Sequence, residues 1–133
     1  MSVVQEALVS LLTANVGVAA ILTSDDVTRI YPLVIPEDQT LPAMAYQRIS
    51  RPQLYSQDGS TGLAWPRFQM TMKAVTETAV VALAEAVRTA LDGYVGTVEG
   101  VRIDAIFCVN EWDDFNPLDK TYEVRLDAVV WHG

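Results

Sequence analysis

Apolar residues recur along the first segment, Ser2 to Ala14, at Val4, Leu8, Leu11 and Leu12. That i, i+4, i+7, i+8 spacing predicts a helix with one buried stripe. Ser2 is placed as its N-cap, and Glu6 lies in the favourable early turns. Asn15 interrupts the pattern and is suited to cap a second, short helix ending at Leu22. Thr23 to Asp26 is polar and reads as a turn. Val27 to Tyr31 is short and β-prone, and Pro32 stops it. The stretch from Pro32 to Pro42 contains three prolines; proline offers no N–H to a ladder, so this is no central strand.

Period-two patterns follow. Met44, Tyr46 and Arg48 alternate with Ala45, Gln47 and Ile49, which predicts a strand over Ala43 to Ile49. In Arg67 to Ala74, Phe68, Met70, Met72 and Ala74 share one face, while Arg67, Gln69, Thr71 and Lys73 share the other. That is a half-buried strand. Thr76 is the expected cap of a helix whose stripe is Val80, Leu83, Ala84, Val87 and Leu91. Arg88 suits its C-terminal dipole, and Gly93 suits the residue after its end. Val101 to Val109 is a further strand candidate, Glu111 to Pro117 reads as an acidic, turn-rich linker, and Thr121 to Trp131 alternates as a last strand. Between the strands lies Ser50 to Pro66, which holds Pro52, Gly59, Gly62 and Pro66 with Tyr55, Leu63 and Trp65 interspersed. A stretch this long without regular structure is usually functional or disordered. Its aromatics argue for a loop or extended hairpin tip with a partner.

These elements predict an α+β fold in one domain over residues 1–133. The expected architecture is an antiparallel or mixed sheet of four to five strands. Two main helices pack on one face, and a long loop joins central strands. At 14.6 kDa, the chain buries about two-thirds of its surface on folding, enough for a core without staples. The first basic residue is Arg29 and the longest early apolar run is Val16 to Leu22. Both readings exclude a secretory signal there and predict a soluble, intracellular chain. Half the chain is hydrophobic and only 20% is charged, against about 25% in a typical domain. The excess predicts apolar surface reserved for other subunits. Nine basic and 17 acidic residues give a net charge of −8, which leaves no electrostatic footprint for gripping nucleic acid.

Catalytic or metal chemistry has little to work with. The single histidine, His132, is next to the last residue, and the single cysteine, Cys108, sits in an apolar strand as a small hydrophobe. Glu111, Asp113, Asp114 and Asp119 are acidic but lack the ligand spacing of a calcium loop, and read as a solvated acidic loop. Asp58, Gly59, Ser60, Thr61 and Gly62 lack the lysine and the following helix of a phosphate cradle. Tyr55 and Trp65 lack the basic groove of a single-strand binder. No cofactor, metal or catalytic residue is expected.

Several pieces in order carry a resemblance. They are Arg29-Ile30-Tyr31-Pro32, Leu41-Pro42-Ala43, Tyr46-Gln47-Arg48-Ile49-Ser50, Asp58-Gly59, Gly62-Leu63-Ala64, Pro66-Arg67-Phe68-Gln69, Leu83 to Arg88, and Val130-Trp131-His132. Together the chain resembles the tail completion proteins of tailed bacteriophages, prophages and gene transfer agents. Asp104 to Leu118 has no counterpart in that pattern. The resemblance implies a virion protein forming a homo-hexameric ring at the head-proximal end of the tail tube. Such a ring stops tube polymerisation, meets the tube protein on one side and a head-tail connector or stopper on the other, and leaves a channel for DNA. On that reading Tyr55, Gln57, Asp58, Gly59, Leu63 and Trp65 are the expected interface, and Glu111, Asp113 and Asp114 the candidate channel-facing acids. Two rivals stay open: a head-side neck adaptor, and a small-ligand-binding α+β domain, which requires a pocket of convergent polar groups.

Overall fold

A computed structural model describes residues 4–24, 27–36, 39–50, 53–56 and 59–132, with the backbone alone for 53–56 and 59–63. The alternating segment Arg67 to Ala74 becomes strand β7 (Arg67–Ala74), and Thr121 to His132 becomes β10 (Thr121–His132). They pair antiparallel from Tyr122↔Ala74 to Val129↔Arg67. Phe68, Met70, Met72 and Ala74 are buried beside Val124, Leu126, Ala128 and Val130. The match of two period-two patterns fixes this register, because a slip of one residue turns every apolar side chain outward.

Strand β4 (Ala43–Ser50) lies on the other edge of β7, and β3 (Ile30–Pro32) joins β4 in parallel. Of the two forms expected for Ser50 to Pro66, a loop or an extended hairpin tip, the structure has paired strands, β5 (Gln53–Ser56) and β6 (Gly59–Ala64), antiparallel from Gln53↔Ala64 to Ser56↔Gly59. Because β4 pairs β7 from Ala43↔Lys73 to Ser50↔Arg67, the two ladders run on from one another. Among the described residues, the strands from Ala43 to Ala74 thus make one long antiparallel ladder. Past the single β6–β10 bridge, His132↔Ala64, β5 and β6 have only each other as ladder partners among the described residues.

A second long ladder corrects the expected acidic linker. Strand β9 (Val101–Asn116) continues through it and pairs β10 from Asn116↔Thr121 to Ile103↔His132. Asp, Asn and Glu are poor strand formers, but β10 supplies a full row of partners and pairing overrides propensity. Strand β8 (Gly96–Val98), missed by the pattern, folds back on Val101–Ile103. Its connection, Glu99 and Gly100, has φ of 51° and 77°, the two positive values a tight mirror-image hairpin turn requires. The main sheet therefore has eight strands, beyond the four to five expected. Ile49 on β4 and Val109 on β9 are the extra residues of two register shifts at adjacent levels of the sheet, where bulges bend it.

Three helices cover one face. Helix α1 (Val4–Ala14) buries Val4, Ala7, Leu8 and Leu12, and α3 (Glu77–Leu91) buries the expected stripe of Val80, Leu83, Ala84, Val87 and Leu91. The Asn15 side chain accepts from Val18 N at 3.1 Å to cap α2 (Val16–Leu22), and Thr76 accepts from Ala79 N at 3.2 Å to cap α3. Gly93 follows α3 with φ of 80°, the left-handed residue that ends many helices. The expected cap Ser2 lies outside the described residues. The stretch read as a turn after α2 holds β1 (Thr23–Ser24), paired to β2 (Val27–Thr28). The exposed surface is 7420 Å², above the roughly 6,900 Å² expected of a sphere-like chain of this mass.

Candidate assembly interface

Some of the residues carrying the sequence resemblance meet at two places. At the first, Arg29 is buried and donates to Pro42 O at 2.8 Å, Ser24 Oγ at 2.6 Å and Ile21 O at 3.1 Å. Met44 N in turn donates to Arg29 O at 3.0 Å. One guanidinium thus ties the end of α2, the β1–β2 hairpin and the entry to β4, and satisfies carbonyls that burial would otherwise orphan. At the second, Val130 N donates to Pro66 O at 3.0 Å, and Trp65 stacks on Trp131 with ring centres 4.7 Å apart and planes 19° apart. These contacts lock β10 to the point where the first ladder passes from β6 into β7.

Of the expected interface residues, Trp65 is therefore half-buried against this chain's own Trp131. Gly59 and Leu63 lie on β6 and Tyr55 on β5, in the part of the first ladder that pairs only with itself among the described residues. Gln57 and Asp58 lie outside the described residues.

The face of the sheet away from the helices carries ion pairs. Arg67 donates through Nε and Nη2 to Asp127 Oδ2 at 3.1 and 2.7 Å, and Gln69 reaches Oδ1 at 3.4 Å. Lys73 Nζ lies 3.5 Å from Glu123 and 2.9 Å from Asp119, and Arg125 lies 3.4 Å from Glu123. Asp127 and Glu123 are only 3% and 7% exposed, and the cations beside them compensate the burial of polar groups. The bend in the sheet carries apolar side chains outward: Ile49, Phe107 and Val109 are each 43–51% exposed.

Glu111, Asp113 and Asp114 do not form one acidic cluster. Strand alternation sends Glu111 and Asp113 to the helix side of β9 and Asp114 to the other. Glu111 accepts from Arg88 Nη1 of α3 at 2.6 Å, and Arg88 also pairs with Glu85. Hydrogen bonds to Glu85 and then Glu111 push the Arg88 guanidinium's pKa further up. Asp114 accepts from the N–H of Phe115 at 2.8 Å. No group of three or more metal-ligating side chains exists among the described residues. Cys108 is half-buried against the core. Burial, then the Asp92 charge, pushes its thiol up to about 11, which leaves it protonated and a poor nucleophile near neutral pH. No described helix alone is long and apolar enough to cross a membrane.

The family model of the Tail completion protein gp17 matches residues 6–133. This chain belongs to that family. Its fold also recurs in a chain of the virion of a native gene transfer agent particle. The TM-score is 0.77, over 97% of this chain and 94% of that one, at 17% sequence identity. No curated protein matches the chain. Members of one family share a backbone frame, and the two knots at Arg29–Pro42 and Trp65–Trp131 are what this tail completion protein uses to hold its own.

Proposed function

We propose that this protein is a structural component of a phage-type tail, and that it acts as the tail terminator. Copies close into a six-membered ring at the head-proximal end of the tube, stop its growth, and present a surface to the head-side connector or stopper. The observation that carries this reading is the family match across residues 6–133. Three features of the chain support it. Half its residues are hydrophobic, and Ile49, Phe107 and Val109 stand exposed on the sheet, as suits subunits that associate permanently. Two long strand ladders supply edges with no ladder partner among the described residues. A net charge of −8 suits a conduit that DNA crosses without sticking, since like charge repels phosphate over about a Debye length, roughly 10 Å at 0.1 M salt. No bond is made or broken in this role.

The test is deletion of the gene from the phage or element that carries it, followed by electron microscopy. The expected particles are filled heads without tails beside tubes of irregular, excessive length. Joined particles with tails of normal length would overturn the proposal, and so would finding the protein on isolated heads and absent from tubes.

A further inference from the structure

A groove of about 410 Å³ lies between the N-terminal half of α3 and the distal half of β9. Its apolar lining includes Val81, Phe115 and Tyr122, and its rim carries Glu77 and Asp113. Val81 is 43% exposed and Phe115 44%, so the lining is open to a partner. Neither rim carboxylate is paired with a cation among the described residues. On the far edge of the same sheet the signs reverse. Among the described residues, Arg29, Arg48 and Lys120 are the cations without a carboxylate within 4.0 Å, and Arg29 is buried on two carbonyls and a hydroxyl. Arg48 stands exposed on β4 beyond the end of β3, beside the bulged Ile49. Its register puts it on the side that bears the helices, level with Phe68, the same side as Asp113, which pairs with Val124.

We propose that the occupant of this groove is a second copy of this chain. The Arg48–Ile49 edge of one subunit seats against α3 and β9 of the next, Arg48 facing Asp113 and Ile49 meeting Val81 and Phe115. This deepens the ring reading above and rests on it. The two patches are complementary in sign and both apolar at the centre, and they sit on opposite edges of one sheet. Contacts of that kind are head-to-tail and generate rings when the rotation closes. Groove-to-groove contact would set carboxylates against carboxylates, which disfavours a two-fold dimer through this face.

The contact is made by side chains, without added strand pairing. The N–H groups of Glu111 and Phe115 already donate to the side chains of Asn110 and Asp114 at 3.1 and 2.8 Å, which blunts the β9 edge. Arg48 stands level with Phe68 and Asp113 level with Met72 and Met44. Seating one on the other thus needs a step of about 13 Å along the strands. Strands inclined to the ring axis supply such a step, as they do in closed sheets.

Cysteine pairs test this on purified protein at millimolar concentration and on tails from producing cells, in a Cys108→Ala background. Under mild oxidation, Arg48→Cys and Asp113→Cys are expected to give a covalent dimer when mixed and none alone. A chain carrying both is expected to give a ladder of multimers. Charge reversal is the second arm: Arg48→Glu weakens self-association at least tenfold by sedimentation, and adding Asp113→Arg recovers it. All three sites are exposed or half-buried, and unchanged circular dichroism checks that each variant folds. Covalent dimers from either single variant alone overturn both the head-to-tail contact and the ring. A closed oligomer by native mass with no 48–113 cross-link overturns this pairing and leaves the ring standing. A cross-link from residue 113 to another tail protein also overturns it.

Discussion

The two faces of strands β7 and β10 share one backbone and one register, yet they are held by different physics. Toward the helices, Phe68, Met70 and Met72 meet Val124, Leu126 and Ala128 with almost no exposure. That face owes its stability to area removed from water and to close packing. On the reverse, Arg67 meets Asp127 and Lys73 meets Glu123, and the same residue spacing yields a row of ion pairs. A sheet with one dry face and one charged face is what a subunit needs if it must fold by itself and still offer a surface to neighbours. The apolar face sets stability. The charged face keeps the sheet from pairing indiscriminately while still burying two carboxylates.

The sharpest way to break the contrast is to delete the largest side chain on the dry face. Phe68 is fully buried on the central strand, so Phe68→Ala is expected to cost about 3–5 kcal/mol of folding stability through lost transfer energy and a cavity. Urea denaturation followed by fluorescence of the tryptophans measures it. A loss under about 1 kcal/mol would mean that the site collapses freely and the core is not close-packed there.

Strand β7 and helix α3 were legible because each carries a single strong period: two in one, 3.6 in the other, bounded by Thr76 and Gly93. Ser50 to Pro66 was not. Its glycines and prolines signal turns, and its ladder becomes visible only once Ala43 to Ser50 is known to pair with Arg67 to Ala74. The acidic run after Asn110 failed for the same reason, since residues with low strand propensity were recruited by a partner that follows a turn. The exposed apolar residues Ile49, Phe107 and Val109 were visible only as an excess of hydrophobic composition. The charged face was invisible in principle, because Arg67 and Asp127 lie 60 positions apart and only the register brings them together. Trp65 was read from the sequence as an interface residue, and in this chain its ring stacks on Trp131.

On the charged face a smaller effect is expected. Asp127 is 3% exposed and holds Arg67 and Gln69. Asp127→Ala is expected to cost about 1–3 kcal/mol, from stranding those donors in a partly buried site. Replacing both partners, Arg67→Met with Asp127→Met, is expected to cost less than Asp127→Ala alone, because a buried pair exchanged for apolar side chains loses little. Denaturant midpoints of the three variants decide it. A double variant worse than the single would make the ion pair itself, beyond the avoidance of an orphan, the source of stability.

The smallest effect belongs to the exposed end of the same face, and it has a pH signature. Thr121 donates to Asp119 Oδ1 through its hydroxyl at 2.5 Å and its N–H at 3.2 Å, and Lys73 donates to Oδ2 at 2.9 Å. The Thr121 hydrogen bond, then that of Lys73, holds the Asp119 carboxyl below its usual range. For Lys73, burial pulls the ammonium down, but Asp119 and Glu123 outweigh it and the net direction is up. A depressed carboxylate contributes fully above its unfolded pKa, about 3.9, and its contribution fades as pH falls through the lowered folded value. A raised lysine contributes fully below about 10.4 and fades as pH rises through its folded value. The pair therefore supports the β9–β10 turn across the neutral range. The midpoint difference between the native protein and Asp119→Ala is expected to hold level from about pH 5 to 9 and to shrink below about pH 4. A difference that persists undiminished into strong acid would assign the turn's stability to its backbone geometry instead of its charges.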